Sequence, residues 1–564
     1  MGKLHIFRWV FFIFSTALIL GLNLAPTITF INHSPPDRYF PLMHNNSQDF
    51  YFYLSLMREG AQGQWLTTIP FTTETHSRSL VFNYFLILGK ISSLLGIPME
   101  LGYLIARIVS SILFFLCAWL LIRKLKIPYP RLTYLIFLFA SPFLKGDTPY
   151  LYWWTGIDAI RRASYLPHHM FGGFLLILAF YVILQFVERK ISLFRFFSFS
   201  LFLLFLMLLI HTPSLLILIM TLPTAIIGYL SRKNISSLRH GRITKLTIQP
   251  FNPLTLTSLF LLLSFSLILM LIFAKLMEGD ALWKHALEWE KTLQLSFLKE
   301  ILGGFGILLP FTLIGIIRSI LSKNFSYWLV LSWFLVPILM LPLAPFFQIS
   351  NTRLVQGVPF LPFAMLTAIG IEWIVSVIPT FTLSFEGKAG IQSLMNGSSG
   401  PASGMTTKNI ILIIIFFIFL LQSIPTLIWS LKDQIHEYST PYSNIYLDKR
   451  LFSAFDFINK EYEPGTVTLA SFYTGNYLPA FTNTISFIGH FGYTYDLEKK
   501  EEITDNFFSQ KLNPEEAKEF LRKNNIRLIF QGPEEKRMTT EPLYPALLRK
   551  VFNNDIVTIY QAKT

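Results

Sequence analysis

Asp49 stands in the run Asn45-Asn46-Ser47-Gln48-Asp49-Phe50-Tyr51-Phe52-Tyr53-Leu54, with Arg58-Glu59-Gly60 just beyond it. A carboxylate that passes straight into aromatic chain beside a bilayer has two jobs open to it. It can take a proton during chemistry on a lipid-borne substrate, or it can cap a helix over 50–61, a position that Asp favours. The two are compatible. Other ionisable residues recur in the same kind of segment. Arg58, Glu59, Glu74 and His76 follow in the same loop. Asp158, Arg161, Arg162, His168 and His169 fall in a second loop, His211 in a short turn, Glu278 to Lys291 in a fourth, and Arg353 at the mouth of a late apolar run. Cationic side chains near carboxylates suit a substrate with a phosphate or pyrophosphate leaving group. Asp49 is therefore the candidate base. Arg58, Glu59, Glu74, His76, Arg161, Arg162, His168, His169, His211 and Arg353 are the candidate substrate contacts.

Each of these has a plainer reading. Glu59 can be a helix partner of a nearby charge, and Glu74 and His76 a solvated loop. Arg161 and Arg162 can anchor at the interface. Adjacent histidines point in different directions from a helix, which argues against His168 and His169 sharing one metal. His211, in His-Thr-Pro-Ser, can be a capped turn.

The elements that must position these residues are mostly membrane helices. Of 564 residues, 52% are hydrophobic and only 14% charged, well below the roughly 25% charged of soluble domains. Apolar runs long enough to cross a hydrocarbon core of roughly 30 Å recur along the chain. About eleven spans are expected, at 8–30, 98–122, 129–144, 170–187, 196–210, 213–230, 254–276, 301–317, 327–345, 354–378 and 409–429. The segment 82–97 is apolar but broken by Lys90, and is expected to lie as an interfacial helix within the first loop. The formal charge of +14 would suggest nucleic acid in a soluble protein. Here the Arg and Lys residues concentrate in alternate loops, which instead marks those loops as cytoplasmic. The N-terminus is then cytoplasmic, the first span an uncleaved one, and Asp49 faces the exterior of the cytoplasmic membrane. Two domains are expected. Residues 1–429 form the membrane domain, with a first outer loop at 31–97 and a cytoplasmic linker at 379–408. Residues 430–564 form a small extracytoplasmic α/β domain, with strands at 466–471, 484–488, 527–530 and 556–560 and a helix opened by Asn513-Pro514. In that tail, Thr474-Gly475-Asn476 and Gly489-His490-Phe491-Gly492-Tyr493-Thr494 read as turns at strand ends. The single cysteine, Cys117, excludes an intrachain disulfide. No phosphate-binding loop, dinucleotide fingerprint, zinc finger or nucleophile elbow stands in a supporting context.

The ordered set Asp49, Tyr53, Arg58-Glu59-Gly60, Gly63-Gln64-Trp65-Leu66, Tyr84, Leu88-Gly89 and Ala106-Arg107 resembles the opening of the GT-C glycosyltransferases, in particular the protein-mannosyltransferase and aminoarabinose-transferase branch. Asn351-Thr352-Arg353 resembles a further recurrent feature of that group. Phe50 stands where many relatives carry Glu, and Thr75-His76-Ser77-Arg78 where Lys-Pro-Pro is common. The resemblance implies an inverting transferase with Asp49 as general base. It would move a sugar from a polyprenyl-phosphate or pyrophosphate carrier to a glycan, lipid or protein acceptor outside the membrane. Its partners would be that carrier, the acceptor and membrane lipid, with no nucleic acid. A single carboxylate without an acidic neighbour argues against a tightly held Mg²⁺ or Mn²⁺ and leaves a weakly held one open. The competing reading is a transporter or flippase of lipid-linked saccharide. Such a protein should carry ionisable residues near the bilayer midplane on broken helices, whereas here they crowd one face.

Overall fold

The computed structural model describes residues 2–44, 46–150, 156, 158–239, 251–294, 297–347, 349–377, 407–439 and 445–563. Among these, nine helices are long and apolar enough to cross a membrane: Ile6–Asn32, Met99–Lys124, Pro167–Val187, Leu193–Ile210, Thr212–Arg232, Pro253–Glu278, Lys299–Leu321, Phe360–Val377 and Asn409–Ile435. The expected spans at 129–144 and 327–345 are instead the shorter apolar helices Pro130–Phe139 and Phe325–Met340. The first of these has ten residues and rises only about 15 Å. Asn83–Leu95, the expected interfacial helix, is a third such short apolar helix. The expected linker lies, from 379 to 406, outside the described residues.

The Pro130–Phe139 helix ends inside the bundle, where an unpaired backbone carbonyl is costly. Side chains from elsewhere meet the extended chain that follows. Arg162 donates to the carbonyls of Leu138 and Ala140. Gln422 donates to Ser141 (2.7 Å) and Thr426 to Pro142 (2.6 Å). The other large polar centre lies on the first two long helices. Buried Arg107 donates to the Asn23 side-chain oxygen (3.1 Å) and to the Ser164 hydroxyl (3.3 Å), and Asn23 in turn donates to the carbonyls of Ile160 and Ser164.

The tail folds around a five-stranded sheet. Its order is Ile485–Ser486, Val467–Leu469, Leu528–Gln531, Thr558–Ala562 and Leu548–Asn553, with the first three parallel and the last two antiparallel. The strand at Leu548–Asn553 is not among those expected. Its residues alternate poorly, exposing Arg549 and Lys550, so the period-two signal is weak. Asn513 and Glu516 close a reciprocal capping box on the Pro514–Lys523 helix, as Asn-Pro-Glu-Glu suggests.

The tail does not stand apart from the membrane part. One apolar core runs from Phe50, Phe52, Leu56 and Phe85 through Leu282 and Trp283 to Phe455, Tyr477, Phe530 and Ile559. Arg38–Tyr39 pairs antiparallel with Leu447–Asp448. Ser486 N–H donates to Pro70 (2.8 Å), and the Thr494 hydroxyl to Phe71 (3.0 Å). First loop and tail therefore share one end of the bundle. That packing requires an odd number of crossings between the N-terminus and each of them.

Candidate active site

Asp49 lies in the first turn of the Ser47–Ala61 helix, where a carboxylate complements the helix dipole. The helix starts three residues earlier than the expected 50–61. Its cap is Asn46, whose side chain accepts from Gln48 N–H (3.0 Å), so Asp49 does not serve as the cap. The tail pins this helix end. Asn476 donates to the Gln48 carbonyl (3.3 Å), and Phe491 N–H to the Gln48 side chain (3.4 Å). The Asp49 side chain is 28% exposed, and its Oδ1 lies 3.5 Å from Nε2 of His490, whose side chain is 2% exposed.

The helix is held in place by two glycines that the sequence places in Arg58-Glu59-Gly60 and Leu88-Gly89. A Cβ at Gly60 would overlap the Leu86 carbonyl, and one at Gly89 the Met57 carbonyl. The Ser47–Ala61 and Asn83–Leu95 helices thus meet backbone to backbone, a closeness that only Gly permits. Tyr53, one turn beyond Asp49, stacks on Phe85 (centroids 4.1 Å, 13°) and meets the edge of His168 at 5.4 Å.

Three imidazoles converge beyond Tyr53. His169 lies 4.3 Å from His168 and 4.9 Å from His211, centroid to centroid. His211 sits in the break between two long helices with Nδ1 2.8 Å from the Ser214 hydroxyl. Gly172 makes room for it, since a Cβ there would overlap the His211 ring. Nδ1 of His168 and of His169, and Nε2 of His211, are buried without a hydrogen-bond partner among the described residues. Burial and then the Arg353 charge push His211 down to about 3, so it is neutral at physiological pH.

Arg353 follows Asn351 in the helical turn Thr352–Val355. It grips Glu290 with Nε (3.1 Å) and one terminal nitrogen, and its other terminal nitrogen reaches Gln356 (3.3 Å). Burial works against this charge, but Glu290 outweighs it and holds the guanidinium above its ordinary value. Among the described residues, three of the five N–H donors of Arg353 are engaged. Asp49 and Arg353 act on the same two phenols. Burial and then Asp49 raise Tyr53, while burial, Glu290 and Asp49 raise Tyr493; Arg353 pulls both the other way. A small cleft of about 40 Å³ borders this ground, lined by His169, Gln356, Arg162 and Phe360 among others.

The remaining candidates sit elsewhere. Arg58 donates to Asn483 of the tail (2.7 Å), and burial lowers it. Glu59 accepts from Thr68 N–H (3.1 Å) and its hydroxyl, and burial pushes it up to about 7. Glu74 pairs with Lys500 (2.7 Å), and that pairing outweighs burial and holds it below its usual range. His76 accepts from Ile69 N–H (3.0 Å). These four join the first loop to itself and to the tail. Arg161 lies 3.5 Å from Asp158 and 3.6 Å from Asp433, and Arg162 caps the broken helix while its plane covers Phe360 at 4.2 Å. Asp49, His168, His169, His211 and Arg353 are thus gathered at one site, with Arg162 at the far side of the cleft. Glu290, Tyr493 and His490 complete it and were not among the expected site residues. Among the described residues no group of three His, Cys, Asp or Glu side chains is placed to hold a metal ion.

No protein-family model and no curated protein sequence matches the chain. Solved structures do. The oligosaccharyltransferase AglB from Archaeoglobus fulgidus, bound to an inhibitory peptide and a dolichol-phosphate, aligns over 94% of this chain and 70% of its own, at 13% identity and a TM-score of 0.50. The arabinofuranosyltransferase AftD from Mycobacteria aligns over 98% of this chain at 12% identity and a TM-score of 0.51, and this chain spans 41% of its length. ArnT from Cupriavidus metallidurans, bound to undecaprenyl phosphate, aligns over 97% of both chains at 11% identity and a TM-score of 0.45. With its long apolar helices, loop-borne helical layer and tail, the chain has the fold of the GT-C membrane glycosyltransferases.

Proposed function

We propose that this protein is an inverting glycosyltransferase that moves a sugar from a polyprenyl-phosphate or polyprenyl-pyrophosphate carrier to an acceptor outside the cytoplasmic membrane. The observation that carries the reading is a chain of contacts from Asp49 to Arg353: Tyr53, one turn beyond Asp49, meets His168 at 5.4 Å, His168 lies 4.3 Å from His169, and His169 lines a cleft with Gln356, which Arg353 holds at 3.3 Å. A base and a cation thus face common ground, at the end of the bundle away from the basic loops. Asp49 takes the proton of the acceptor hydroxyl as that oxygen attacks the anomeric carbon. The bond from that carbon to the phosphate oxygen breaks on the opposite side, and its electron pair leaves with the phosphate. Arg353 receives the charge, and neutral imidazoles among His168, His169 and His211 donate hydrogen bonds without competing for the proton. The carrier's chain lies along apolar helix surface, gaining about 0.8 kcal/mol per buried CH₂. Remote binding of this kind leaves the polar site free to favour the transition state.

Asp49→Asn in purified protein, assayed against a panel of polyprenyl-phosphate sugars, tests the reading. General-base loss should cost on the order of 10²-fold or more in kcat, with donor binding kept. Full transfer by the variant would remove Asp49 from this role. Donor binding by the wild type with no transfer to any acceptor, together with passage of the lipid across vesicles, would favour the flippase.

A further inference from the structure

The tail completes the site through one imidazole. His490 sits between two glycines in the loop that follows Ile485–Ser486, closed in by the rings of Phe52 (5.4 Å), Phe71 (5.8 Å), Phe491 (4.7 Å) and Tyr493 (4.8 Å). The backbone fixes its proton. Gly492 N–H donates to Nδ1 (3.1 Å), so Nδ1 is an acceptor and the neutral ring carries its hydrogen on Nε2. Among the described residues that nitrogen is buried with no closed hydrogen bond, and the carboxylate oxygen paired with it is Asp49 Oδ1 at 3.5 Å. A buried N–H left open is costly, and a gap of this size is the kind that closes when a substrate settles into an active site.

We propose that His490 is the positioning residue of Asp49: its Nε2–H donates to Oδ1, fixes the carboxylate rotamer and leaves Oδ2 aimed at the acceptor hydroxyl. The inference rests on Asp49 being the base. His490 cannot pass the proton onward, because Nδ1 is already engaged by Gly492 N–H. It holds the carboxylate and does not touch substrate. The loop is built for the contact. Thr494 hydroxyl accepts from Gly489 N–H (3.2 Å) and His490 N–H (3.1 Å) and donates to the Phe71 carbonyl (3.0 Å), which ties the loop to the chain behind Asp49.

His490→Phe keeps the ring packing and removes the donor. His490→Gln places an amide N–H near the Nε2 position. The phenylalanine variant should lose about ten- to hundredfold in kcat, the scale of a misplaced catalytic group, with KM for the lipid donor unchanged and the thermal midpoint in detergent close to wild type. The glutamine variant should recover most of the rate. A parallel fall in midpoint and kcat for both variants would make His490 structural only, and wild-type kcat in His490→Phe would overturn the proposal. If Asp49→Asn is inactive while His490→Phe is unimpaired, the base stands and this inference alone fails. If Asp49→Asn is fully active, the base reading itself has failed.

Discussion

Glu59 shows how a residue can sit next to a motif arginine, nearly three helical turns beyond Asp49 on the same helix, and be engaged by the fold itself. Its carboxylate bonds Thr68 and is pushed up to about 7 by burial. The folded state therefore holds a proton that the unfolded chain releases near the ordinary Glu value of about 4.3, and stability falls as pH rises between those two values. Glu59→Gln keeps an acceptor for Thr68 and has no charge to bury. It should raise the thermal midpoint at pH 8 and change it little at pH 5; a higher midpoint at pH 5 alone would contradict this. The same comparison explains what was legible among single residues. Asp49 announces itself by type and setting, and the three histidines and Arg353 by falling in segments of one sidedness. Arg58, Glu59, Glu74 and His76 look the same in sequence, because a charge that knits a loop and a charge that waits for a ligand have the same side chain. His490 carried no such signal. It lay in a glycine-flanked turn, and nothing in one sequence links that turn to Asp49 at the other end of the chain.

At the scale of elements, the placement of Asp49 depends on two helices meeting through Gly60 and Gly89. Gly89→Val should force them apart, at a cost of about 1–3 kcal/mol by overpacking, and should lower transfer because Tyr53 and Asp49 ride on the displaced helix. Thermal unfolding and turnover measured on the same preparation check this, and full activity with an unchanged midpoint would exclude the close contact. Hydropathy located all eleven apolar segments and set the 82–97 helix apart, yet did not show that two of the eleven hold helices of only ten and sixteen residues. Pro130–Phe139 and Phe325–Met340 are as apolar as their neighbours; what shortens the first is a break whose carbonyls are met by Arg162, Gln422 and Thr426. Those partners come from distant segments, and a window sliding along the chain does not see them.

For the whole molecule, the two expected domains share a core. Residues of the first loop, the Ala281–Lys291 helix and the tail pack into one cluster, and Arg38–Tyr39 pairs with the tail's first strand. A chain ending before Ile445 should expose that cluster and fail to give a monodisperse peak by size exclusion in detergent, whereas an independent tail would leave the membrane part well behaved. The fold class was legible because membrane composition and the tail's strand pattern are local properties. The shared core was not, since alternating apolar residues serve equally well for a free-standing sheet and for one that leans on a neighbour. The broken helix has a last implication, for assembly. When residues 138–142 enter the bilayer during synthesis, the helix that supplies Gln422 and Thr426 does not yet exist. Until it arrives, the carbonyls of Ser141 and Pro142 lack those two donors in a medium that offers no water. The Thr407–Ser439 helix, emerging late, is then the latch that locks an early segment, and a cysteine pair placed at Pro142 and Thr426 should crosslink in the full chain but not in one stalled before that helix enters the bilayer.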